Sequence, residues 1–131
     1  LDEDNKVINE KTGKKEVCTK ELLFFSLPNV LIIILKRFKN NNRRINKKVK
    51  APLANLNLSK YLIGYDKNVI YDLYGICNHM GTALGGHYTA NVKAKNNKWY
   101  NFDDTNVSEI NKNKLIGEHS YCFFYRKKKL N

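Results

Sequence analysis

The side chains best suited to chemistry are one histidine, the two glycines before it and an aspartate pair later in the chain. His87 directly follows Gly85-Gly86, and Asp103-Asp104 come after a short aromatic segment. A carboxylate that orients an imidazole and stabilises its charge makes the imidazole a general base toward a thiol or hydroxyl. Adjacent glycines let another backbone approach closely. His87 and Asp103 are therefore a candidate base and its partner, with a structural histidine and a turn-forming aspartate pair as the alternative.

The turn predicted at Asn96-Asn97 decides whether His87 and Asp103 can meet. If it is a two-residue turn, the two side chains lie on opposite faces of the sheet, because side chains alternate along a strand. A three- or five-residue connection, a β-bulge, or a His87 just outside the regular strand would place them on the same face. Without any of these, Asp104 would face the imidazole. The residues alone leave both arrangements open.

Strand patterns dominate the elements that must position these residues. The apolar run from Val30 to Phe38 is rich in β-branched residues and predicts a central strand buried on both faces. A more polar strand is expected from Ile45 to Val49, and residues 53–62 form either a short helix or an irregular packed segment. Later strands are predicted at 69–78, 87–95, 98–103 and 121–125, with one helical turn within 110–116. A glycine-containing loop of about seven residues would precede His87, and the last strand would close an antiparallel sheet.

The composition suits one globular domain. Hydrophobic residues make up 42% of the 131 residues, which supports a single core and argues against general disorder. The longest apolar run, Val30 to Leu35, falls far short of the ~20 residues that cross a bilayer, and the polar first residues do not form a secretory signal. Cys18, Cys77 and Cys122 include no CxxC pair, so we expect no disulfides, metal or cofactor, and a cytoplasmic or nuclear location.

The net charge of +12 raises the question of nucleic-acid binding. Lysine supplies most of this charge, and asparagine is nearly as common as lysine. A nucleic-acid site favours arginine, which contacts bases and phosphates through two donors at once, and clustered aromatic residues. The joint excess of lysine and asparagine is more typical of an A+T-rich genome, so we expect nucleic-acid binding to be unlikely.

Short motifs in a fixed order extend over most of the chain. They are Ser26-Leu27-Pro28, Leu35-Lys36-Arg37-Phe38, Pro52-Leu53, Leu58 to Leu62, Tyr71 to Gly75, Asn78 to Gly81, Gly85 to Ala90, Lys98 to Asp104, Val107-Ser108 and Tyr121 to Tyr125. In this order they resemble the C-terminal part of the ubiquitin-specific protease family of papain-like deubiquitinases.

The resemblance implies a fold and a domain division. The fold is α+β, a mostly antiparallel β-sheet subdomain (the palm and part of the fingers) with little helix. Residues 1–131 would be the C-terminal portion of one catalytic domain, with 1–20 a polar arm derived from the fingers and 21–131 the sheet-rich part. The absence of an initial methionine fits a piece of a longer protein.

The resemblance also implies roles for individual residues. His87 would be the general base, Asp103 the residue that orients it, and Asp104 a neighbouring polar support. The channel for the ubiquitin tail would be lined by Asn78, His79, Gly85, Gly86 and Tyr88, with His79 neutral. Because that tail ends in two glycines, a narrow, glycine-walled slot suits it.

The implied reaction is thiol-dependent hydrolysis of the peptide or isopeptide bond after the C-terminal glycine of ubiquitin. The family's nucleophile lies in an Asn-Thr-Cys box that this chain lacks, so we expect it outside the chain and expect the chain alone to be inactive. The expected partners are ubiquitin, ubiquitinated proteins and the missing cysteine-bearing part of the domain, with no membrane. The alternatives are an inactive ubiquitin-binding scaffold and, less favoured, a basic nucleic-acid-binding module.

Overall fold

The computed structural model describes residues 6–65 and 68–129. Within these ranges the chain forms strands and two 3₁₀-helices of one turn each, Ser59–Tyr61 and Lys112–Lys114. The strands are β1 Val7–Ile8, β2 Lys15–Glu16, β3 Val30–Ile34, β4 Leu56–Asn57, β5 Ile70–Thr82, β6 Gly85–Lys93, β7 Trp99–Asp103, β8 Asn106–Glu109 and β9 Ser120–Lys127.

One antiparallel sheet contains every strand except β1 and β2. Its order is β3-β9-β5-β6-β7-β8, with β4 beside the start of β5. β1 and β2 form a separate two-stranded hairpin. The prediction of a mostly antiparallel sheet with little helix is therefore confirmed.

The core lies against one face of this sheet and depends on a bulge in β5. Leu73 pairs with Tyr125 and Ile76 with Phe123, and the register shifts between Leu73 and Gly75. Strict alternation would send Leu73 and Ile76 to opposite faces, but the extra residue turns both to the core side. These four side chains are almost fully buried. The bulge thus keeps a long strand buried along one face.

The first strand of the sheet differs from its prediction. β3 pairs only with β9 among the described strands and forms an edge of the sheet. Leu31 and Ile33 pack against the core, whereas Ile32 and Ile34 are 52% and 62% exposed. The prediction of a central strand buried on both faces is wrong, because a run of β-branched residues does not reveal that one face lacks a covering layer.

Two other segments also depart from their predictions. Residues 45–49 form no strand; Arg44 makes an isolated bridge with Phe38 instead. The final strand, β9, lies between β3 and β5 and so does not close the sheet. Residues 53–62 combine the short β4 with a 3₁₀-turn, which fits the irregular alternative. In the described ranges no helix has the length and hydropathy of a membrane span.

Candidate active site

The hairpin between β6 and β7 places His87 and Asp103 on the same face. Ala94 N donates to Lys98 O at 2.9 Å and Asn97 N to Ala94 O at 3.0 Å, so the connection has three residues, 95–97. Asn97 has φ of 63°, a left-handed conformation that asparagine tolerates better than most residues. Ala90 consequently pairs with Phe102. Of the arrangements left open by the sequence, the odd connection is the one observed.

His87 and Asp103 form a direct hydrogen bond across these two strands. His87 Nε2 lies 2.5 Å from Asp103 Oδ1. A carboxylate at Nε2 favours the proton on that nitrogen, which leaves Nδ1 as the second reactive position of the ring. In the described part of the chain nothing bonds to Nδ1. The two side chains are 43% and 46% exposed, so the pair is open to a further group.

The charge around His87 stabilises its protonated form. The hydrogen bond that His87 donates to Asp103 raises the pKa of His87 above its ordinary value, and the charges of Asp103 and Asp104 add to this effect. Partial desolvation of the ring lowers the pKa, but by less than these interactions raise it. An imidazole held in this way is suited to accept a proton and to exist as an imidazolium.

Asp104 contributes charge from the β7–β8 turn. Its φ of 49° puts it in the left-handed region at the start of a two-residue turn. Donor atoms of His87, Asp103 and Asp104 lie within 4.8 Å of one another. A divalent cation bound there would compete with His87 for the Asp103 carboxylate. The ring donates its hydrogen bond to Asp103 and not to Asp104.

The strand ends ahead of His87 form a tight hairpin, and the prediction of a seven-residue loop is wrong. Thr82 pairs with Gly85 across a two-residue turn. A Cβ on Gly81, which has φ of 144°, would lie 2.5 Å from the Cα of Gly86. The glycines therefore let β5 and β6 stay paired at a separation that side chains would prevent. The pairing replaces the expected loop.

His79 is buried beneath Gly86. It is 3% exposed, and Arg44 Nη1 lies 3.1 Å from its Nδ1. Burial, together with the charge of Arg44, lowers the pKa of His79, so the ring is neutral near pH 7. The ring of Tyr88 packs against it at a centroid distance of 4.5 Å. His79 thus supports the glycine pair from below.

The other residues predicted to line a channel are dispersed over both faces of the hairpin. Asn78 lies on the face of His87, where its Nδ2 donates to Thr89 Oγ1 at 3.3 Å. Tyr88 is on the opposite face and 56% exposed. Gly85 is exposed and is the first residue of β6 after the turn. The part these residues take in binding stays a prediction.

A pair of asparagines beside the histidine and aspartate was not anticipated from the sequence. Asn101 Nδ2 donates to Asn91 Oδ1 at 2.8 Å, and Asn91 Nδ2 donates to Leu115 O at 3.1 Å. Asn91 is 2% exposed. The pair joins β6 to β7 on the face of His87 and Asp103. Asn91 and Asn101 are on different strands, so the sequence does not indicate that they pair until the register of the hairpin is known.

The sequence matches the family model described as ubiquitin carboxyl-terminal hydrolase over residues 4–125. The chain belongs to this family. It is 38% identical over 124 residues to ubiquitin carboxyl-terminal hydrolase 19 of Homo sapiens, covering 84% of this chain and 9% of that protein. It is 41% identical over 113 residues to ubiquitin carboxyl-terminal hydrolase 12 of Saccharomyces cerevisiae, covering 82% and 9%.

A solved structure of the family also superimposes on nearly the whole chain. The SAGA DUB module containing Ubp8, Sgf11, Sus1 and Sgf73 bound to monoubiquitin matches with a TM-score of 0.80 and 30% identity, covering 98% of this chain and 30% of that one. The sheet is therefore part of the fold of a ubiquitin carboxyl-terminal hydrolase domain. The chain spans about a tenth of the length of the two curated relatives.

Proposed function

We propose that this chain supplies the general base and its orienting carboxylate to a cysteine-type deubiquitinase. The reaction is hydrolysis of the peptide or isopeptide bond after the C-terminal glycine of ubiquitin. The observation that carries the proposal is the 2.5 Å contact between His87 Nε2 and Asp103 Oδ1, which leaves Nδ1 available. Membership of the hydrolase family and the ubiquitin-bound Ubp8 structure support the choice of substrate.

The nucleophile in this proposal comes from outside residues 1–131. Burial raises the pKa of Cys77 and of Cys122, which disfavours the thiolate that a nucleophilic cysteine needs. Cys122 is 7% exposed and pairs with Cys77 on the neighbouring strand. Residues 1–131 then form the C-terminal portion of one catalytic domain, with the hairpin of β1 and β2 in the arm of residues 1–20.

The free Nδ1 of His87 carries the proton transfers. It removes the proton from the external thiol, and the thiolate forms a C–S bond with the carbonyl carbon of the last ubiquitin glycine. The proton then passes from Nδ1 to the departing amine as the C–N bond breaks. Water, deprotonated by Nδ1, attacks the thioester and releases ubiquitin and the thiol. Throughout these steps Asp103 holds Nε2–H and stabilises the imidazolium.

The glycine pair in front of His87 suits a substrate whose last two residues lack side chains. Gly85 is on the face of His87 and leaves the approach to the imidazole free of side-chain atoms, while Gly86 lets the backbone lie close against His79. The asparagine Asn78 and the ring of Tyr88 flank it on either face of the hairpin. We include Asn78, His79, Gly85, Gly86 and Tyr88 in the proposed substrate-binding region, with His79 acting from beneath the backbone.

A reducing compartment, cytoplasm or nucleus, is part of the proposal. Cys77 and Cys122, which face each other on neighbouring strands, are free thiols. Ubp8 in the matched structure is part of the SAGA DUB module, and this relative favours the nucleus. Ubiquitinated proteins are the proposed substrates.

The test uses the full-length protein and a ubiquitin bearing a fluorogenic group at its C-terminus. We expect turnover by the wild type and a loss of about a thousandfold or more in kcat/KM for His87→Ala. His119→Ala is the matched control, because His119 is exposed and contacts Glu118 rather than Asp103. It should retain wild-type turnover.

Two outcomes of this experiment would overturn the enzymatic proposal. If turnover persists in His87→Ala, then His87 is not the general base. Tight binding of ubiquitin by a wild type that neither turns over the substrate nor reacts with a ubiquitin electrophile would identify a ubiquitin-binding scaffold.

A further inference from the structure

A basic groove lies at the end of β5 and β6 that is remote from His87. Its volume is about 600 Å³, within the range that holds a small ligand or a few residues of an extended peptide. The lining residues are Asp72, Leu73, Tyr74, Lys93, Ala94, Lys95, Asn97, Arg126, Lys127, Lys128 and Lys129. Asp72 is the acidic member of this set.

The groove originates in the bulge of β5. β6 pairs with β5 from Gly75 and Val92 toward the turn, while the start of β5 pairs with β4, as at Tyr71. The two strands therefore separate at Tyr74, where the register of β5 shifts. The concavity is a product of strand pairing and not of flexible side chains.

Four cations around this groove form no ion pair with a carboxylate in the described part of the chain. The ion pair of Asp72 is with Lys128, at 3.8 Å. Among the described residues, no carboxylate forms an ion pair with Lys93, Lys95, Arg126 or Lys129. Unpaired charges brought close together repel one another and attract a ligand of opposite charge. The groove is thus complementary to an anion.

Tyr74 and Arg126 indicate which kind of anion fits. The guanidinium of Arg126 stacks on the Tyr74 ring at 4.6 Å from the ring centroid. A ring covered on one face in this way offers less surface for stacking on a nucleotide base, an interaction that single-stranded nucleic acids use at their binding sites. The planar donor fork of Arg126 remains suited to carboxylates, and the neighbouring lysines supply further positive charge.

We propose that this groove docks an acidic, extended peptide segment, rich in Asp or Glu, from a substrate or partner protein. Tyr74 precedes Met80, the residue paired with His87, by a stretch of strand about 20 Å long at 3.3 Å per residue. Docking at the groove is therefore separate from bond cleavage. It fixes a protein partner through a segment distinct from the ubiquitin tail.

The test measures binding of a fluorescein-labelled oligoglutamate peptide to the full-length protein by fluorescence anisotropy. We expect binding at low ionic strength that weakens as salt rises, and a loss of about tenfold or more in affinity for Lys93→Glu/Arg126→Glu. The control Lys39→Glu/Lys48→Glu makes the same change in net charge at exposed positions outside the groove. It should leave affinity within about twofold of wild type.

Three results would overturn the proposal: no peptide binding at low salt, equal loss in both double variants, or tighter binding of single-stranded RNA that the groove substitutions abolish. Turnover of the fluorogenic ubiquitin substrate by Lys93→Glu/Arg126→Glu should equal that of the wild type. This readout separates the groove from the proposed active site, because either can fail without the other.

Discussion

At the scale of single residues, the reactivity of His87 depends on which carboxylate reaches its ring. Asp103 bonds to Nε2 directly, whereas Asp104 acts through its charge alone. The folded-state pKa of His87 is raised. The protonated His87 therefore stabilises the folded protein. This contribution is fully present below the ordinary imidazole pKa and is lost as pH rises through the raised value.

Replacing Asp103 tests this dependence. We expect Asp103→Asn to lower the pKa of His87, because both the hydrogen bond to a charged acceptor and the negative charge are lost. Because His87 acts as a base in its neutral form, the acidic limit of kcat/KM, below which the imidazole is protonated, should move to lower pH. The measurements are an NMR titration of His87 and a pH profile of ubiquitin cleavage by the full-length protein.

Asp104→Asn is the matched control for that experiment. Asparagine is well tolerated at the φ of 49° found at this position, so the turn should persist. A smaller downward shift of the His87 pKa is expected. A shift as large as that of Asp103→Asn would contradict the assignment of the hydrogen bond to Asp103.

Gly86 offers a second test at the residue scale. A Cβ here would lie 2.5 Å from His79 Nε2 and against the carbonyl oxygen of Met80. Gly86→Ala should therefore destabilise the domain by about 1–3 kcal/mol and reduce kcat/KM. Gly85→Ala is the control, since its Cβ would have nothing within 4 Å. Urea unfolding of both variants measures the difference, and equal midpoints would exclude close packing at Gly86.

At the scale of elements, Arg37 joins the segment after β3 to the start of β9. Its Nε and Nη2 donate to Ser120 O at 3.1 Å and 2.9 Å, and Nη1 donates to the carbonyl oxygens of Ile45 and Lys47. The side chain is 3% exposed. One guanidinium thus satisfies carbonyl groups that would otherwise be buried without donors.

Loss of this guanidinium should be costly. Arg37→Met keeps most of the side-chain volume but leaves the three carbonyl groups without their donors, and we expect a loss of about 3 kcal/mol in the free energy of unfolding. Arg43→Met, at an exposed position, should change it by less than about 0.5 kcal/mol. Denaturant unfolding is the measurement, and similar values for the two variants would show that Arg37 is not structural.

The elements also show what could be predicted from the sequence. Strands β5, β6, β7 and β9 were located to within a few residues, because alternation and turn residues are local signals. The position of β3 at the edge depends on how distant segments pair, which a local pattern does not show. Its apolar run therefore suggested a central strand. His87 was a candidate base because of the glycines beside it, and that role stays a prediction. The choice of Asp103 depended on the turn at Asn97, and the Asn91–Asn101 contact on the resulting register.

At the scale of the whole molecule, the side of β3 that points away from the core is uncovered within the described residues. Val30, Ile32 and Ile34 on this face are 42%, 52% and 62% exposed. Apolar side chains grouped in this way favour association. They mark a face that the rest of a longer protein, or another copy of the chain, can bury.

If the 131-residue chain is prepared alone, it should self-associate through this face. The double variant Ile32→Thr/Ile34→Thr should remain monomeric at higher concentration with little change in stability, because both side chains point away from the core and threonine retains β propensity. Sedimentation velocity measures the difference. Equal association of the wild type and the variant would place the contact elsewhere.

The pairing register of β6 and β7, and not the length of the turn between them, decides whether His87 and Asp103 face each other. Directly paired residues of an antiparallel sheet lie on the same face, so a turn of any length that keeps Ala90 paired with Phe102 keeps the two groups together. A slip of one residue in the pairing would turn Asp103 to the opposite face. The exposed turn can therefore vary in length, and the site is lost only when the two strands change their pairing.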